Sequence, residues 1–321
     1  MTAADPAIAP TPGAPPERRP VAGMVAAGSA VVVWGASSVL LKQVDGVDGL
    51  GLAAYRLWIG AVVVSAAFLA SGRRFSWDLF RASALGGLAF GLDIILYFSA
   101  VQETSIANAT VIGALQPVLV LVVAGRLFGE HAQVQELLWG ALAIGGAALV
   151  VLGGDGGGAN SAGGDLLAVG ALLAWTAYFV WSKTARLTLT AFEYLTGMAV
   201  VAAVLMLPVV VVAPDSLTAP DAGGWVTIVW ITLTNGLLGH FLMTWAHGHV
   251  TLLTLSLLTL GIPVAAAASA AAFIDEPLSL TQVGGMVVVL VALAIVSALS
   301  SRRAPEVVEA EVGSLDAAPH P

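Results

Sequence analysis

The stretch LQPVLVLVVAGRLFGE, residues 115–130, decides how this chain is read. It is apolar apart from Gln116, Arg126 and Glu130, it is long enough for most of a bilayer crossing, and Pro117 interrupts it where a regular helix needs an amide hydrogen. A second stretch, GIPVAAAASAAAFIDE at 261–276, repeats the device: Pro263 and Glu276 follow Pro117 and Glu130 by 146 places. The same shift lays Ala100 on Ala246 and Val118 on Val264, and a shift of 141 lays Trp34 and Lys42 on Trp175 and Lys183. A match whose offset changes only through loop lengths marks a duplicated unit.

Outward from these stretches the composition stays extreme. Of 321 residues 58% are hydrophobic and 10% charged, with a mean hydropathy of +0.93. A soluble domain carries about 25% charged residues, so the class is an all-α polytopic membrane protein. Spans are expected at 21–41, 50–71, 82–102, 106–127, 132–152, 163–183, 191–213, 223–245, 250–273 and 280–300, the least separated neighbours being the third and fourth and the eighth and ninth. The units are a disordered cytoplasmic tail 1–20, a five-helix repeat 21–152, a glycine-rich external linker 153–162, a second five-helix repeat 163–300 and a disordered cytoplasmic tail 301–321. The linker lacks the Lys-Ser/Thr pair of a phosphate-binding loop. Without cysteine the chain has neither disulfides nor thiolate chemistry, and the net charge of -8 sits largely in tails and loops.

Orientation rests on the basic residues. With the amino terminus inside, Arg18, Arg19, Arg73, Arg74, Arg81, Arg126, Lys183, Arg186, Arg302 and Arg303 share the inner side; Lys42 falls outside and Arg56 within a span. Both termini are therefore expected in the cytoplasm of a multi-pass plasma-membrane protein. An odd number of spans per half makes the second half enter from the opposite side, the inverted repeat typical of secondary transporters. Pro117 and Pro263 are expected as kinks or hinges, each leaving a carbonyl, at Gly113 and Thr259, without its helical partner.

Polar side chains inside the spans are the site candidates. Asp93 lies near the middle of the third span, where a carboxylate faces the bundle interior, pairs, or carries a proton. It has two readings: an ion pair with Arg56, or a protonatable coupling group or contact for a substrate cation, beside an Arg56 that attracts a carboxylate or phosphate. Asn108 and its equivalent Thr254, with Trp175, Asn235 and His240, complete the expected cavity set. His247 and His249 read as solvated turn residues, no metal set accompanies them, and Glu130 and Glu276 read as turn markers.

VWGASSVLLK, YRLWIGA and SAVQETSIANATVIGALQPVLVLVVAGRLFGE in the first half resemble the EamA domain of the drug/metabolite transporter superfamily, and the second half supplies WTAYFVWSK and AHGHVTLLTLSLLTLGIPV. The resemblance covers about residues 22–300. It implies ten helices with two-fold pseudosymmetry and a central site walled by helices 1–4 and 6–9, which carry Arg56, Asp93, Asn108, Trp175, Asn235, His240 and Thr254. Unlike the small multidrug relatives, the first span holds no carboxylate. The expected function is secondary active export of a small polar or amphipathic metabolite, such as an amino acid or derivative, by alternating access. An uptake permease is the alternative, and a membrane-embedded enzyme or sensor a more distant one. The expected partners are a small-molecule substrate and the lipid bilayer, with proton coupling and a homodimer left open; no cofactor, metal or nucleic acid is expected.

Overall fold

The computed structural model describes residues 19–41, 44, 46–154 and 161–316. Lys42, the glycine run 155–160, residues 1–18 and residues 317–321 lie outside the described residues. Ten helices are long and apolar enough to cross a membrane. They are α1 Pro20–Leu41, α2 Gly49–Ala70, α3 Trp77–Glu103, α4 Ile106–Phe128, α5 Val134–Leu152, α6 Ala162–Ala185, α7 Ala191–Val212, α8 Ala222–Ala246, α9 Leu252–Phe273 and α10 Leu280–Asp316.

The helices start where the sequence supplies an oxygen to cap them. Asp48, Ser76, Ser105, Ser161, Thr190, Asp221 and Thr251 each accept from a backbone N–H three residues on, satisfying a donor that would otherwise be orphaned. The tight turns at 104–105 and 247–251 thus separate α3 from α4 and α8 from α9. α10 continues unbroken to Asp316. The helix thus runs on past residue 301, where the acidic tail was expected to begin unstructured.

Each half breaks its fourth helix ahead of the proline. α4 consists of Ile106–Gly113 and Gln116–Phe128, and α9 of Leu252–Leu258, a 3-10 turn at Thr259–Gly261, and Ile262–Phe273. Pro117 and Pro263 thereby occupy the first turn of a new segment, where a missing amide costs nothing. The ends also match. Gly129 and Asp275 both take the left-handed conformation, at φ 63° and 53°, and the amides of Glu130 and Glu276 donate 3.3 Å bonds to the carbonyls of Ala124 and Ala270.

Helix pairing follows the duplication. α3 packs on α6 as α1 packs on α8, α4 on α6 as α9 on α1, and α2–α7 and α5–α10 are their own counterparts. The α5–α10 contact is close because Gly146 and Gly285 face each other. A Cβ on Gly146 would lie 2.9 Å from Val288 Cγ1, and one on Gly285 2.6 Å from the Gly146 carbonyl oxygen. One end of the bundle gathers Arg19, Arg73, Arg126, Lys183 and Arg186, and the other Asp48, Glu103, Asp165, Asp215, Asp221, Asp275 and Glu276. We call these the basic and acidic ends.

Candidate functional site

The middle of α8 departs from α-helical geometry. Thr232–Gly239 is π-helical, and the hydroxyls of Thr232 and Thr234 donate to the carbonyls of Ile228 and Trp230. Within that segment Asn235 joins both neighbouring helices. Its side-chain oxygen accepts from Arg56 of α2, and its backbone oxygen accepts from Trp34 Nε1 of α1 at 3.1 Å.

An aromatic cluster surrounds the junction. The Trp34 ring lies 4.9 Å from His240 and 5.6 Å from Trp175, and Phe90 of α3 lies 4.6 Å from His240. His240 Nδ1 is 3.1 Å from the Tyr178 hydroxyl, and Trp175 packs on Tyr178 at 5.1 Å. Beside the cluster is a cavity of about 30 Å³ lined by Arg56, Phe90, Ile94, Met198, Thr232 and Leu237 among others. That space holds a water or so, against the several hundred Å³ typical of a small-molecule site.

Arg56 does not pair with Asp93, one of its two expected readings. Asn235 takes its place, and no carboxylate among the described residues lies within 4 Å of the guanidinium. Its Nε is buried without a hydrogen-bond partner. Insertion scales put an unpaired arginine at mid-span at about 2.5–3.5 kcal/mol, so a cation held this way is a strong attractor for an anion. Asp93 is half-buried, forms no hydrogen bond or ion pair among the described residues, and lies within electrostatic range of Tyr97 and Tyr178.

The junction thus brings together Arg56, Trp175, Asn235 and His240. Asn108 and Thr254 lie elsewhere: the Asn108 amide reaches Asp165 Oδ1 at 3.4 Å, and Thr254 is bonded to Thr251 and to Ser300 of α10. Trp34 and Phe90 join the site, and the Trp34–Trp175 match under the 141-residue shift was the signal for the first. His247, expected in solvent, is buried against Phe179, with Nδ1 2.8 Å from the Met243 carbonyl. It lies just past α8, where burial, with Lys183 and Arg186 nearby, pushes it down to about 3.

At the basic end Glu130 does more than close a helix. Its carboxylate pairs with Lys183 of α6 and accepts from the Leu252 amide at 2.8 Å, while Lys183 also donates to the Val250 carbonyl. One side chain of the first half therefore clasps both the end of α6 and the start of α9.

Ten apolar helices around a polar and aromatic junction define a polytopic helical membrane protein. The chain belongs to the EamA-like transporter family, whose model matches residues 21–152 and 162–298. A solved structure described as "Crystal structure of protein" shares the fold with a TM-score of 0.76, at 20% identity over 88% of this chain and 98% of that one. No curated protein matches the chain significantly.

Proposed function

We propose that the chain is a secondary transporter of the plasma membrane that exports a small polar or amphipathic metabolite, such as an amino acid or derivative, by alternating access. The halves are inverted repeats with both termini cytoplasmic, so the basic end faces the cytoplasm and the acidic end faces outward.

One observation carries the reading: equivalent segments of the halves are packed differently at the two ends. At the basic end Leu252–Leu258 is wholly buried and touches Gln116–Phe128, under the Glu130 clasp. At the acidic end only Ala109 of Ile106–Gly113 and only Val264 of Ile262–Phe273 are buried, and those two segments make at most marginal contact. Exchanging the conformations of the halves would latch the acidic end and release the basic one, which is the motion alternating access requires. The breaks at Pro117 and Pro263 are the hinges.

Asp93 is the coupling group. It is a carboxylate inside an apolar span that forms no hydrogen bond or ion pair among the described residues; Tyr97 and Tyr178 are the titratable groups beside it. Reconstituted chain should show counterflow of a labelled metabolite across a screen of amino acids, sugars and organic cations, with a dependence on the pH gradient that Asp93→Asn removes while leaving the protein in the membrane. Absence of counterflow throughout the screen refutes transport, and an unchanged pH dependence in Asp93→Asn refutes the coupling role.

A further inference from the structure

The halves present different chemistry to the same cavity. Counted from the helix starts at Gly49 and Ala191, the eighth position is Arg56 in α2 and Met198 in α7, and both line the cavity. A duplicated wall has thus become a guanidinium on one side and a thioether on the other. Apart from Thr232, whose hydroxyl donates to the Ile228 carbonyl, the side chains that complete the lining are apolar or aromatic, among them Leu57, Phe90, Ile94, Leu195 and Leu237.

We infer that the cavity, once the helices around it separate to widen it, takes a small organic monoanion, its carboxylate on Arg56 and its apolar body against Met198 and Phe90. The inference rests on the transport reading above and narrows its substrate class. Three features of Arg56 support it. The guanidinium has no carboxylate within 4 Å among the described residues, its Nε is buried and unbonded, and its bond to Asn235 holds only one nitrogen, leaving a planar edge for a bidentate acceptor. Asn235 is itself bonded through its backbone carbonyl to Trp34 of α1, so the residue that holds the guanidinium is anchored to a second helix before any ligand arrives. Asp93 makes no contact that neutralises Arg56, so a bound anion would be the first full counter-charge the guanidinium meets.

The test is binding by the purified full chain in detergent, read by intrinsic fluorescence, because Trp34 touches both Asn235 and His240. The probes are monocarboxylates of about three to nine carbons, each with its matched amide and primary amine. The expected result is saturable binding of carboxylates, with amides and amines at least about tenfold weaker. Arg56→Gln should lose at least about tenfold in carboxylate affinity, Arg56→Lys less, and Met198→Leu little. Equal affinity for the three probe classes, binding of no carboxylate, or a folded Arg56→Gln variant that binds as before overturns the inference. The probe comparison on the unaltered chain decides the question even where Arg56→Gln fails to fold. Carboxylate binding without counterflow would remove the transport reading alone, and counterflow of amines without carboxylate preference would remove this inference alone.

Discussion

Ile106–Gly113 and Leu252–Leu258 open the same motif in the two halves, each capped by a hydroxyl, each broken just before a proline, yet their surroundings differ. The second is sealed among α1, α4, α6 and α10, whereas the first leans mainly on α6. α1 approaches α9 through Gly35, where a Cβ would lie 2.5 Å from Ala265 Cβ and 2.7 Å from the Ile262 carbonyl oxygen; the matching place on α6 is Thr176, bonded to its own Leu172 carbonyl. Equal sequence motifs therefore do not enforce equal packing. The inequality is a property of the conformation, with the residues at each contact deciding how tightly it can close.

The largest test of that contrast is steric. Gly35→Val should cost about 3 kcal/mol by forcing α1 from α9, read as loss of folded protein on size exclusion, while Thr176→Val costs about 1 kcal/mol or less. If both behave alike, the two contacts are equivalent and the contrast fails.

Glu130→Gln comes next. It leaves Lys183 unpaired, and because the two side chains are 15% and 13% exposed the cost is discounted to about 2 kcal/mol. The basic end should open. Since the chain has no cysteine, a single Cys replacing Leu253 reports this directly, by thiol labelling about tenfold faster in the Gln variant.

His247 gives a pH-dependent test, and Val101 stands at its place in the first half. Its folded-state value is depressed to about 3, so the unfolded chain takes the proton first. Stability is complete above pH 6.5 and declines below it, by about 1.4 kcal/mol per unit of pH until the folded value is reached. His247→Phe should flatten the fall in thermal midpoint between pH 6.5 and 5.5; an unaltered slope assigns it to other groups.

The smallest test concerns the left-handed residues. Gly129→Ala should destabilise and Asp275→Gly stabilise, each by about 1 kcal/mol, measured as opposite shifts in thermal midpoint.

Much of the fold was legible because hydropathy and caps agree: each apolar run after the first begins at a Ser, Thr, Asp or Gln that closes the preceding loop. The family, too, was legible from motifs in both halves. The site was legible only in its inventory. Arg56, Asn235 and His240 stand out as polar residues in apolar runs, but which of them meet depends on helix rotation, and that depends on a π-helical segment with no signature in the periodicity. The Glu130–Lys183 link had a usable signal, since both residues fall at the same end when the spans are counted. Thr254 carried a polar signal with local causes, a cap hydroxyl beside it and Ser300 across from it.

The π-helical turn in α8 also acts as a phase correction. Asn235 and His240 are five residues apart, and on a regular α-helix their directions would diverge by about 140°. The wider turn closes that angle, so that one tryptophan, Trp34, bonds to the first and packs on the second. Forcing the same residues into a regular α-helix would swing His240 away from the side on which Asn235 meets Trp34, whereas deleting one residue between them would leave them four apart, about 40° on a regular spiral, and keep both on that side. The wider turn absorbs the extra residue and so keeps the two ends of α8 in a single register.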